Sequence, residues 1–350
     1  MVKDNIPIQN LYYLLVYAWD KLDEAAVVDV SGLDVTRQVD LFGSVLIQGI
    51  RHLSRRGLEQ GYHSRRETIP GVRGRINMAV TASRALPPQG FVHCEFDELT
   101  FNTLSNQILR STIYHLSCVY EVDPSLRHQL SRLYQQMDGI DCPPIRKSLF
   151  RQVQHHGNAR FYRFLLSVCE LVVDSLLVDE QSGRYRFRDF VRDDKRMASV
   201  FEAFLYNFYR IECRGVAVKK DRIKWMQDEP TKESSEYLPT METDISLRNG
   251  TKTLIIDAKY YTKTLTTNYE RERVHSSHLY QLFAYLKNLE QRQGPDATAE
   301  GMLLYPAINK RLRLDYKIHG HRMKVCTVDL SAHWTTIKEE LLELTDYLNS

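Results

Sequence analysis

Apolar residues recur every three to four positions over residues 8–22, 36–56, 103–121 and 124–137, the spacing that lines one face of a helix. Short extended segments around 67–80 and 91–99 interrupt them. The first half of the chain therefore reads as mainly helical with minor β structure. Asp141-Cys142-Pro143-Pro144 breaks the pattern, since proline cannot continue a helical hydrogen-bond ladder. Residues 159–177 then form a strongly apolar helix with Arg160 and Arg163 at its start. A domain boundary is placed near 155, which gives an amino-terminal domain of residues 1–155 and a second domain of residues 156–350. In the second domain the pattern predicts helix over 195–213, strand over 216–226, a hairpin over 241–261 and helix over 277–290. A strand at 301–306, further strands over 313–330 and a final helix over 333–348 follow. That order is α/β, a mixed central sheet flanked by helices.

The predicted hairpin carries the densest chemistry. Arg248-Asn249-Gly250-Thr251 is a polar turn, and Leu254-Ile255-Ile256 is the apolar run of a buried strand. Asp244 lies on the first arm, while Asp257 ends the second. Two acids at the end of a buried strand are costly unless a cation meets them. Hard oxygen ligands from two Asp side chains suit Mg²⁺, which keeps several waters and also binds substrate phosphate. Lys259 stands two residues beyond Asp257 and points to the same side of the strand, where an ammonium can orient water or stabilise a pentavalent phosphorus centre. Ala258 faces the other way, and its backbone carbonyl is a further candidate metal ligand. On spacing alone, a solvated salt bridge is the commoner reading. The apolar run before Asp257, the acid across the turn and Pro239 upstream favour a phosphodiester-hydrolysing site.

These residues resemble the signature of the PD-(D/E)xK nuclease superfamily and, more closely, the McrC family, nuclease subunits of McrBC 5-methylcytosine-specific restriction systems. The resemblance runs through residues 6–19, 53–59, 69–76, 238–245, 275–282 and 326–330, in order along nearly the whole chain. It implies metal binding by Asp244 and Asp257 and a catalytic role for Lys259. It also places Glu202, on a helix, where many members of the superfamily hold a glutamate near the metal, and Gln281 where related nucleases carry a polar residue facing the site. For both, an ordinary helix-surface position is the alternative.

The same resemblance implies a partner. McrC-like subunits work with a hexameric McrB-like AAA+ GTPase that recognises modified double-stranded DNA, and their amino-terminal region docks in its pore and stimulates hydrolysis. Arg73 and Arg75, in Gly71-Val72-Arg73-Gly74-Arg75, are then candidate partner contacts, because guanidinium suits phosphate and carboxylate. The aromatic cluster Tyr12, Tyr13, Tyr17 and Trp19 is assigned to core packing rather than to the partner. One site cuts one strand, so double-strand scission implies dimerised complexes.

Composition narrows the alternatives. The net charge of +3 over 350 residues leaves nucleic acid to be met by local basic runs: residues 51–56, Arg65-Arg66, Lys219-Lys220 and Lys310-Arg311. The chain has no Gly-Lys dipeptide and hence no P-loop, so any energy-driven step belongs to another protein. Six cysteines lack Cys-x-x-Cys spacing, and neither a signal peptide nor a membrane-length apolar run is present, which reads as a reduced cytoplasmic protein. His275 and His278 have no Cys or His pair elsewhere to complete a zinc set. The reading that results is a Mg²⁺-dependent endonuclease subunit. The alternatives are an activating module with a vestigial site and a free-standing repair nuclease.

Overall fold

The computed structural model describes residues 6–30, 37–154, 159–178, 185–228, 236–260, 265–268, 271–307 and 311–348. Tyr261, Lys310, the loop residues 229–235 and the boundary expected near 155 lie outside the described residues. In chain order the helices are α1 (Ile8–Ala18), α2 (Leu22–Ala25), α3 (Gln38–Arg56), α4 (Met78–Ser83), α5 (Leu104–Ser117) and α6 (Pro124–Gln136). They continue as α7 (Lys147–Gln152), α8 (Arg160–Ser175), α9 (Asp194–Glu212), α10 (Ser276–Leu289) and α11 (Trp334–Glu343). The strands begin with β1 (Gly61–Pro70), β2 (Arg75–Ile76), β3 (Phe91–Thr100), β4 (Leu176–Val178), β5 (Tyr185–Phe187), β6 (Ala217–Lys219), β7 (Arg222–Ile223) and β8 (Met241–Glu242). After these come β9 (Ile245–Arg248), β10 (Thr253–Ala258), β11 (Leu265–Asn268), β12 (Arg271–Val274), β13 (Glu300–Pro306), β14 (Arg313–Ile318) and β15 (His321–Val328).

Contacts divide the chain into two compact units, Met1–Ala26 together with Asp189–Ser350, and Val27–Arg188. The middle unit is built on α3, α5, α6 and α8. Thr103 caps α5 by accepting from Asn106 N, and Asp123 caps α6, whose first position is Pro124. Gly49 of α3 lies directly under Leu165 of α8, which leaves no room for a Cβ between the helices. Buried Asn106 ties the loops together, donating to the Glu59 and Phe101 carbonyls and accepting from the Tyr162 hydroxyl. Beside the helices, β1 and β3 pair antiparallel from Gly61↔Thr100 to Pro70↔Phe91, and β2 adds to β3. This is the helical part with minor β structure that the periodicity predicts.

The other unit is α/β. Its six-stranded sheet has the order β14-β15-β13-β10-β9-β6. β10, β13 and β15 run parallel, while β9, β6 and β14 are antiparallel to their neighbours. The mixed sheet thus matches expectation. At the β9–β10 turn, Asn249 Oδ1 accepts from the amides of Thr251 (3.1 Å) and Lys252 (2.8 Å), and Gly250 takes φ +91°. Ile255 on β10 shares one apolar layer with Leu303, Tyr305, Met323 and Val325, covered by Leu282, Tyr285, Leu286 and Leu289 of α10. Gly301 lets that helix close down on β13, since a Cβ there would stand 2.9 Å from Leu282 and Leu286. Leu254 and Ile256 point to the opposite side of the sheet by strand alternation. There α9 contacts β6 and β10, with Phe201 edge-on to Tyr260 at 5.9 Å.

Helix α1 packs on α9 in this unit. The Tyr17 ring lies among Phe204, Phe208 and Trp334 at 5.5–5.9 Å, and its hydroxyl donates to Glu212 at 2.5 Å. Tyr13 stacks on Trp334 at 4.8 Å. Asn10 donates to the carbonyls of Leu330 (2.8 Å) and Ala332 (2.7 Å). Tyr12 and Tyr17 are core residues, as their helical spacing suggests. Among the described residues, no helix is long and apolar enough to cross a membrane.

Candidate active site

The parallel strands end where β10 delivers Asp257, a position at which open α/β sheets commonly present functional groups. Asp257 is 0% exposed. Its Oδ2 pairs with Lys259 Nζ at 2.9 Å, and beyond that ion pair neither oxygen has a hydrogen-bond partner among the described residues. A buried carboxylate is normally satisfied several times over. Asp244 arrives from the segment between β8 and β9, and its Oδ2 accepts from Ala258 N at 2.7 Å. The two acids and the lysine, carried by the two arms of one hairpin, therefore converge on one strand end.

Neighbouring groups fix the geometry. Thr243 is buried, its amide donates to Asp221 O (3.0 Å), its Oγ1 accepts from Asp221 N (2.9 Å), and it meets Ser246 Oγ at 2.9 Å. That double clasp holds the backbone that presents Asp244. Arg248 reinforces it by pairing with Asp221 (2.6 Å) and Asp296 (2.7 Å). On the α10 side, Lys259 Nζ donates to Gln281 Oε1 at 3.0 Å, Gln281 Nε2 donates to Tyr285 Oη at 2.7 Å, and Tyr285 donates to Glu242 O at 2.9 Å. Burial pushes the Tyr285 phenol up to about 12, so it stays protonated and able to donate. Glu202, from α9, forms an ion pair with Lys220.

Burial, followed by repulsion from Asp257 and Glu202, raises the Asp244 carboxyl from 3.8 to about 7. Burial also raises Asp257, against the pull of Lys259. Two acids pushed toward protonation in one place form a site that favours added positive charge. Among the described residues no three His, Cys, Asp or Glu side chains are arranged to hold a metal by themselves. A cation here would rest on two carboxylates supplemented by backbone oxygen and water, a donor set that suits a small hard ion.

Asp244, Asp257, Ala258, Lys259, Glu202 and Gln281 thus belong to one neighbourhood. Arg73 and Arg75 lie in the middle unit, where Arg73 sits 4.2 Å over the Phe96 ring and Arg75 pairs across to Glu95 on β3. His275 and His278 stack at 4.8 Å, and His278 Nδ1 meets Tyr305 Oη at 2.8 Å. Sequence reasoning missed Tyr285 as a site residue, although its place four residues after Gln281 puts both on one helix face. It also took Lys220 only as part of a basic run.

Taken together, the chain is a two-unit α/β protein with a buried carboxylate-lysine site at the ends of parallel strands. Residues 10–306 match the family model for the McrBC 5-methylcytosine restriction system component. The chain is also 36% identical over 341 residues to the Type IV methyl-directed restriction enzyme EcoKMcrBC of Escherichia coli K12, covering 97% of each. It belongs to the McrBC 5-methylcytosine restriction system component family. A chain in the refined half-complex from the tetradecameric assembly of Thermococcus gammatolerans McrB AAA+ hexamers with bound McrC shares the fold. The match has a TM-score of 0.63 at 18% identity and covers 98% of this chain and 76% of that one.

Proposed function

We propose that this protein is the DNA endonuclease subunit of a modification-dependent restriction complex, hydrolysing phosphodiester bonds with Mg²⁺ on a PD-(D/E)xK nuclease fold. The observation that carries the reading is the buried Asp257 carboxylate, which among the described residues meets only the Lys259 ammonium, beside Asp244. Asp244, Asp257 and the Ala258 carbonyl would hold the ion, which supplies Lewis acidity and lowers the pKa of an attacking water. Lys259 faces the reacting phosphate and stabilises its developing charge. Gln281 holds that ammonium, Tyr285 fixes the Gln281 amide, and Glu202 adds a third carboxylate at the margin.

Partner engagement falls to the amino-terminal part, residues 1–155, within which α1 is committed to the unit that bears the site. The sequence has no P-loop. The similar structure holds McrC bound to McrB AAA+ hexamers, and this supports a McrB-like AAA+ GTPase hexamer as the partner that this chain stimulates. Arg73 and Arg75 are the assigned contacts. The substrate is methylated double-stranded DNA, cut in the cytoplasm by two complexes brought together, one site for each strand.

Calorimetric titration of Mg²⁺ or Mn²⁺ tests the cation site. The wild-type chain should bind with measurable heat, and Asp244→Asn should weaken binding by at least about tenfold. Heat that is absent, or indifferent to the substitution, would instead favour an activating module with a vestigial site.

A further inference from the structure

Three carboxylates, of Glu202, Asp244 and Asp257, and two ammonium groups, of Lys220 and Lys259, surround the end of β10. Each ammonium holds one acid, and Asp244 is left without an ion pair among the described residues. The two lysines are held differently. The Lys259 side chain is 16% exposed and fixed by both Asp257 and Gln281. The Lys220 side chain is 38% exposed, rests on Glu202 and lies 5.7 Å over the Tyr206 ring. Its backbone has little freedom, because the next residue, Asp221, is clasped by Thr243 and paired with Arg248. Movement is therefore confined to a flexible four-carbon stem. From this position the ammonium feels Asp244 and Glu242 as well as Glu202.

We infer that Lys220 is the resident counter-ion of the cation site, neutralising Glu202 in the metal-free chain and displaced from that carboxylate when a divalent ion enters. The inference rests on the cation-site reading given above. An ammonium and a hard dication compete for the same anionic oxygens. Glu202 is the acid best placed to change partners, since its side chain is 34% exposed and that of its counter-ion 38%, whereas Asp257 is fully enclosed. Lys220 is thus a positioning residue. It sets the availability of Glu202 and takes no part in bond cleavage.

Titrating Mn²⁺ calorimetrically into the full chain at low salt, as wild type, Lys220→Met, Glu202→Gln and the double variant, tests this. Lys220→Met should bind Mn²⁺ about tenfold tighter, as expected for removing one nearby competing charge. Glu202→Gln should bind more weakly, and the Lys220→Met gain should largely vanish in the Glu202→Gln background, because the lysine acts through that carboxylate. Added salt should narrow the gap between wild type and Lys220→Met. Unchanged or weaker binding by Lys220→Met overturns the inference, as does an undiminished gain in the double variant. Near-ultraviolet circular dichroism verifies that each variant is folded. Asp257→Ala separates the two readings: if it leaves Mn²⁺ binding intact, or if the wild type binds none, the cation site itself falls and the Lys220 role falls with it.

Discussion

Replacing Asp257 by alanine should reduce DNA cleavage by the assembled complex at least roughly 10³-fold while leaving stimulation of the partner's nucleotide hydrolysis intact. The acid is wholly enclosed at the end of β10, and its nearest charged neighbour is Lys259. Asp244, held by Ala258 N, and the partly exposed Glu202 on α9 keep their own places and do not fill the buried position at the end of β10. The fold should tolerate the change, since among the described residues the carboxylate removed meets only Lys259 and no group of the sheet backbone. Asp257→Asn, which keeps the shape, should fail in the same way. Plasmid cleavage and nucleotide hydrolysis, measured in one reconstituted mixture, check both halves. Loss of both activities in a folded variant would count against separate functions for the two parts of the chain.

A second expectation concerns stability without a cation. The folded Asp244 carboxyl holds its proton up to about 7, while the unfolded chain releases it near the ordinary value of 3.8. The native state then binds more protons than the unfolded state between those values, so stability falls as pH rises from about 4 to about 7 and stays low above it. Asp257 is shifted in the same direction by burial. In a chelator at pH 8, Asp244→Asn should be more stable than the wild type by roughly 2–4 kcal/mol, with a flatter pH profile, since its amide oxygen can still accept from Ala258 N. Saturating Mg²⁺ should recover most of the difference in the wild type and little in the variant. Urea unfolding at pH 5 and pH 8, with and without Mg²⁺, measures this. Identical pH profiles for the two proteins would mean that the paired acids are not in conflict.

Local signals carried most of the element boundaries. The helix expected over 103–121 is Leu104–Ser117, started by the Thr103 cap, and that expected over 195–213 is Asp194–Glu212, started by Asp193. Leu254-Ile255-Ile256 running into Asp257 identified the central strand, because so apolar a run ending in an acid belongs to a sheet interior with a task at its tip. What local pattern could not carry was set by distant partners. The strand expected over 216–226 is broken into β6 and β7, since Asp221 is drawn to Thr243 and Arg248. That break is what turns Lys220 toward Glu202. The residues expected as strands over 313–330 form the β14–β15 hairpin, turned by His319 and Gly320 at positive φ. Periodicity in residues 8–22 identified a buried aromatic helix, and nothing nearby in sequence could say that its partners are Phe204, Phe208 and Trp334.

The allegiance of α1 has a consequence for biosynthesis. Its apolar face is translated before residues 27–188, yet the surface that receives it, on α9 and at Trp334, is translated only after that entire middle unit. At ordinary elongation rates that delay is on the order of ten seconds or more, during which residues 27–188 can complete their own collapse. A nascent chain released before residue 334 therefore lacks part of the surface on which Tyr13 and Tyr17 of α1 come to rest.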